Sequence, residues 1–172
     1  MSDVKNLAQS EAISKLQELT EDAPITMFCT NLTNVPFDTC PMSTQKVDDN
    51  GAIWFFSGND SEHARNIEED DRVQLLYTNN GNYSYLTISG TAEILHDQAR
   101  IDELWTPAAK VWFQGGKDDP KLRLIKVTPQ EGFYWDTKHG KMVSFLKMVA
   151  SFATGKTMDD GVQGNLSIGN KN

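Results

Sequence analysis

Cysteine is scarce in this chain: Cys29 and Cys40 are the only two in 172 residues, and there are three histidines. So few thiols exclude a disulfide framework. Two cysteines and three well-separated histidines also form no zinc-ligand spacing, so no metal site is expected. Long apolar runs are missing as well. Nothing approaches the ~20 residues of a membrane span, and the N-terminus lacks the basic-then-apolar order of a signal peptide. The expectation is a cytoplasmic protein with both thiols reduced. Basic residues are in the minority, 16 against 24 acidic, for a net charge of −8. That balance argues against nucleic acid and against a membrane surface as main partners. An anionic small ligand would have to be held by local amides and a few basic groups.

What is present is the pattern of one small α+β domain. Residues 3–19 carry apolar residues at helical spacing behind Ser2 as a cap. Residues 25–30, 35–44, 52–57, 72–78 and 83–95 read as strands, with Asn50-Gly51 and Asn80-Gly81 as hairpin turns. Gly90 marks a bend or bulge, and Pro36 and Pro41 place the second strand at an edge, a bulge or a ligand-facing rim. A helix is expected over 97–104 behind Asp97, and another helical turn over 108–113. Two further strands, 121–127 and 132–135, are expected to be joined by a turn at 128–131. Residues 142–152 form an apolar helical segment. The domain is taken as 1–155, with 156–172, rich in Gly, Asn and Asp, disordered. The sum is a small antiparallel β-barrel with helical cover.

The stretch around which the chain is organised runs from Cys40 to His63. Cys40-Pro41-Met42-Ser43-Thr44 leads through the Asn-Gly turn into Trp54-Phe55-Phe56-Ser57 and then Asn59-Asp60-Ser61-Glu62-His63. Asn59 and Glu62 have the spacing of a capping box, so Ser57 would end a strand and Ser61 to His63 would start a helix that covers about 60–69. A helix start presents unpaired N–H groups and the positive end of the dipole, which favours a phosphate. The Ser57 and Ser61 hydroxyls and the His63 ring add donors. Ordinary capping accounts equally well for the same residues. Gly155-Lys156-Thr157 resembles the end of a P-loop, but Ala150 stands where that motif needs glycine. No general acid or base is evident.

These blocks, together with Tyr85-Leu86-Thr87-Ile88-Ser89-Gly90-Thr91-Ala92, resemble the pyridoxamine 5′-phosphate oxidase-like split-barrel flavoproteins. Asp102-Glu103-Leu104-Trp105-Thr106-Pro107, Trp112-Phe113 and Gly115-Gly116-Lys117-Asp118-Asp119-Pro120 are similar to the general stress protein 26 branch. The resemblance implies a six-stranded antiparallel split β-barrel with flanking helices, a homodimer, and FMN in clefts between subunits. Carried over by motif, Cys40, Pro41, Met42, Ser43 and Thr44 would run beside the isoalloxazine and ribityl chain. Phe55, Phe56 and Ser57 would continue that wall, and Asp60, Ser61 and His63 would lie at the phosphate. Tyr85, and Trp112 from the partner subunit, would contact the ring. Two positions depart from the family pattern: Cys40 stands where arginine is frequent, and His63 where lysine is frequent. Arg65 and Lys46 are candidates to replace that charge.

The resemblance therefore implies an FMN-dependent oxidoreductase with NAD(P)H or a similar carrier as electron donor. Two alternatives stay open: a non-catalytic flavin-binding or stress-response protein of the same fold, and a barrel that binds haem or has lost its ligand.

Overall fold

The computed structural model describes residues 3–4, 7–8, 10–137 and 161–167. In chain order the elements are β1 (Asp3–Val4), β2 (Leu7–Ala8), α1 (Ser10–Asp22), β3 (Ile25–Thr30), β4 (Asp38–Val47), β5 (Ile53–Gly58), α2 (Glu62–Glu69), β6 (Arg72–Asn79), β7 (Ser84–Leu95), α3 (Gln98–Leu104), β8 (Leu122–Thr137) and β9 (Gly161–Ser167). Two 3-10 turns, Pro107–Val111 and Gly116–Asp118, lie between α3 and β8. Strands β8, β5, β4, β3, β6 and β7 pair in that order, every pair antiparallel, and β7 pairs back onto β8 to close a six-stranded barrel. With three flanking helices this is the expected α+β split barrel. No helix among the described residues is long and apolar enough to cross a membrane.

Period-two alternation fills the barrel. Phe28 on β3, Phe55 on β5, Leu75 on β6 and Ile88 on β7 are all fully buried in one cluster. Helix α1 adds Ala12, Leu16 and Leu19 to it, a stripe at helical spacing. The opposite face of β5 carries Trp54, which packs with Ile101 and Leu104 of α3 and with Leu122, Leu124 and Phe113 in a second cluster. Strand β5 is thus apolar on both sides because it lies between the barrel interior and the α3 layer.

Several expectations need correction. The first helix begins at Ser10, not residue 3; Asp3–Val4 and Leu7–Ala8 instead pair in parallel with β9. Part of the segment expected to be disordered is that strand: Gly161–Ser167 pairs antiparallel with the end of β8, and Leu166 is 1% exposed. Leu166 lies against Gly132, where an added Cβ would come within 3.2 Å of it, so this buried apolar side chain ties the strand to β8. The apolar segment 142–152 lies outside the described residues.

Residues 128–131 do not form a turn either. They belong to the single 16-residue strand β8. Ser89 pairs with Glu131 and Gly90 with Pro129, so Gln130 is the extra residue of a bulge. A bulge tolerates a proline that cannot donate to the ladder, and it bends β8 around the barrel. The approach requires glycine at position 90, since a Cβ there would lie 2.3 Å from the carbonyl oxygen of Thr128. Gly90→Ala is expected to cost about 2–3 kcal/mol of stability through forced backbone movement. A urea titration reads this as a lowered midpoint at unchanged m.

Candidate functional site

The β5–α2 junction gathers four of the residues marked by the sequence. Ser57, the next-to-last residue of β5, is 3% exposed. Its hydroxyl lies 2.8 Å from His63 Nε2 and 3.2 Å from Ser61 Oγ. On the other side of the imidazole, Nδ1 lies 3.5 Å from Cys40 Sγ. Ser61, not Asn59, caps α2: its Oγ accepts from the Ala64 N–H at 3.2 Å. The helix starts within Ser61 to His63 as expected, but the capping box at Asn59 does not form: the Asn59 N–H bonds to the carbonyl of Lys121 at 2.9 Å.

Strand pairing explains why Cys40 reaches a helix 23 residues later. Cys40 sits opposite Phe28 in the β3–β4 ladder, so its side chain shares Phe28's face and touches the core cluster. The Phe28 ring lies 6.3 Å from the His63 ring. Asn66, one turn further along α2, donates to Asp38 Oδ2 and Thr30 Oγ1, each at 2.9 Å. That tie holds α2 against β3 and β4, and no spacing in the sequence marks it.

The cluster is electrically neutral near pH 7. Burial pushes the His63 imidazolium below its ordinary 6.5, opposed weakly by Glu62. Burial raises the Cys40 thiol, with Cys29 and Glu62 adding to the shift. Positive charge stands just outside. Lys121 pairs with Asp60 at 2.6 Å, and Arg65 Nη1 donates to the Asp60 carbonyl at 2.8 Å. The hydrogen bond from Lys121 holds the Asp60 carboxyl below its usual range. Of the two cations considered as replacements, Arg65 is therefore at the junction, whereas Lys46 is held by Glu103 of α3 at 2.7 Å. Lys121 is a further cation of the site that the sequence reading missed, because only the β5–β8 pairing brings it there.

The remaining marked residues are distributed elsewhere. Met42 and Phe55 point into the barrel and are 8% and 0% exposed, so their side chains form part of the core. Thr44 is half-buried, with its hydroxyl 2.8 Å from the buried Tyr77 phenol. Phe56 faces α3 and packs on Trp105 and Phe113. Pro41 and Ser43 lie on the outer face of β4, opposite Met27 and Ile25. Tyr85 is half-buried opposite Trp135, and Trp112 is 82% exposed beside the first 3-10 turn. Neither Tyr85 nor Trp112 takes part in the hydrogen bonds of the four-residue cluster.

A family profile described as pyridoxamine 5′-phosphate oxidase like matches residues 11–159. The chain belongs to that family. Within the pyridoxamine 5′-phosphate oxidase like family it is similar to general stress protein 26 of Bacillus subtilis, 28% identical over 82 residues, which is 46% of this chain and 58% of that protein. The chain spans about half the length of the curated relatives it matches. Among solved structures, a Jannaschia sp. CCS1 protein assigned as general stress protein 26 superposes with a TM-score of 0.77 at 28% identity, covering 92% of this chain and 99% of its own. The general stress FMN/FAD binding protein of Xanthomonas citri gives a TM-score of 0.63 at 26% identity, covering 75% and 90%.

Proposed function

We propose that this chain is an FMN-binding, oxidoreductase-like general stress protein that works as a homodimer and is reduced by NAD(P)H or a similar carrier. The observation that carries this reading is the β5–α2 junction, where Ser57, Ser61 and His63 converge at a helix start on a barrel of this family. The donor set fits a flavin phosphate: hydroxyls, a ring nitrogen and the first N–H groups of α2, with Arg65 and Lys121 alongside. A bound flavin supplies the electron or hydride chemistry; the chain's part is to seat and orient it.

Support for a second copy comes from the barrel's outer face. Ile25, Met27 and Trp135 are 61%, 42% and 41% exposed. Met27 stands opposite Pro41 on one side and Leu76 on the other, making an apolar row across β4, β3 and β6. Such a row is costly to leave in water and suits an interface between copies. The exposed Trp112 and Val111, 82% and 76%, extend from the α3 side in the manner of a group that reaches a neighbouring chain.

FMN titrated into the apo-protein, followed by flavin fluorescence, together with sedimentation of the same sample, tests both parts. The expected result is saturable quenching by a dimeric protein with one flavin per chain. An unquenched flavin or a monomer overturns it. The non-catalytic alternative is favoured by one observation: Cys40 and His63 already satisfy each other and offer no charge at neutral pH. FMN-dependent NAD(P)H consumption separates the two, a binder showing none.

A further inference from the structure

We propose that Cys40, His63 and Ser57 form a nucleophilic triad, with His63 drawing the proton from the Cys40 thiol and Ser57 orienting the ring, and that Cys40 is thereby a modification site for small neutral oxidants of the peroxide class. The inference adds an activity to the junction and stands on the geometry of the chain without flavin.

The three groups have the roles that a nucleophile, a base and an orienting group need. Cys40 Sγ lies 3.5 Å from Nδ1 and Ser57 Oγ lies 2.8 Å from Nε2, so one imidazole bridges both. One tautomer satisfies every group in sequence. The thiol donates to Nδ1, Nε2–H donates to Ser57 Oγ, and the Ser57 hydroxyl donates to the Gly58 carbonyl at 3.2 Å. Proton transfer from the thiol then leaves an imidazolium with Nδ1–H directed at the thiolate and Nε2–H still held by Ser57. Among the described residues the facing groups on every packed element are Phe28 of β3, Cys40 of β4, Ser57 of β5, and Ser61 and Glu62 at the start of α2. Glu62 is the single charge among them and favours the imidazolium.

Burial raises the thiol and lowers the imidazole. The resting pair is therefore a neutral thiol beside a free base, and the thiolate forms only as attack begins. Cys40 is partly exposed whereas Cys29 is buried, so a reagent from solvent meets Cys40 first. In the step itself an S–O bond forms and the peroxide O–O bond breaks. The thiol is oxidised by two electrons to sulfenic acid, the peroxide is reduced, and the proton taken by His63 leaves with hydroxide as water. The product does not proceed to an internal disulfide. Cys40 shares Phe28's face of the sheet while Cys29, the next residue, projects to the other face.

The test is intact-mass and peptide mapping of flavin-free protein exposed to hydrogen peroxide with dimedone, and separately to iodoacetamide, between pH 5.5 and 8.5. Wild type is expected to label at Cys40 and not at Cys29. His63→Gln, which keeps a hydrogen-bonding side chain but no base, is expected to slow labelling by about ten- to a hundredfold at pH 7.5. The wild-type rate should fall in acid, with its inflection below the ordinary imidazole value because burial resists protonation of His63, and the variant should lose that inflection. Ser57→Ala gives a second measurement if the glutamine variant does not fold, with a smaller slowing expected and the inflection displaced. Labelling at Cys29, or equal rates in wild type and the folded variants, overturns the proposal. Flavin binding is not part of the measurement, so failure here and failure of the flavin reading are separate results.

Discussion

FMN should bind more tightly as pH falls from about 8 to about 6, by roughly ten- to a hundredfold, and the response should vanish in His63→Ala. The sign follows from the state of the ring. Burial holds His63 neutral in the free chain at pH 7, below its ordinary 6.5. A phosphate dianion at the start of α2 attracts the proton and raises the imidazole's affinity for it, so binding takes up a proton and strengthens in acid. A charge-assisted hydrogen bond contributes roughly 1.5–3 kcal/mol, which is one to two decades in Kd. Below about pH 6 the phosphate gains its own second proton, and the rise should level off. The apo-protein should show the opposite trend in stability. The unfolded chain protonates His63 at its ordinary pKa of 6.5 while the fold resists it, so stability present above 6.5 is lost as pH drops through that value. Flavin fluorescence titrations at pH 6 and 8, with thermal melts of apo-protein at the same pH values, separate the two trends. A flat FMN response in folded wild type removes His63 from the phosphate site.

The second large effect concerns Phe55, which the family likeness placed along the flavin and the structure places in the barrel. Its ring is fully buried and meets Phe28 edge-on at 5.3 Å. Phe55→Ala is expected to lower stability by about 3–5 kcal/mol, the cost of a cavity in a close-packed core. Phe55→Leu should fold with a smaller loss and bind FMN as the wild type does, because only the backbone at this position can face a ligand. Guanidinium unfolding together with an FMN titration of the leucine variant decides the matter. A stable leucine variant with weakened FMN would show that this side chain touches the flavin after all.

The two results share one cause. Along β4 and β5 the side chains alternate between the barrel and its outside, so a contiguous run marked by likeness divides into two sets. Met42 and Phe55 go inward, Pro41, Ser43 and Phe56 go outward, and Cys40 and Ser57 each reach one nitrogen of His63 where α2 begins. The sequence held the alternation, but not the direction in which it counted.

Local chemistry settled a good deal before any fold was known. Alternation, turn residues and caps located most strands, the β5–α2 break, the bulge at Gly90 and the Asp97 cap, because each depends on a few neighbouring side chains. Pairing across long separations was beyond it. The merging of 121–127 and 132–135 into one bent strand, the anchoring of β9 by Leu166, and the arrival of Cys40 at His63 and of Lys121 at Asp60 all depend on ladder register between distant segments. Register is set when the whole barrel closes and buries one face, so the charge and the partners of the site were decided by the tertiary structure.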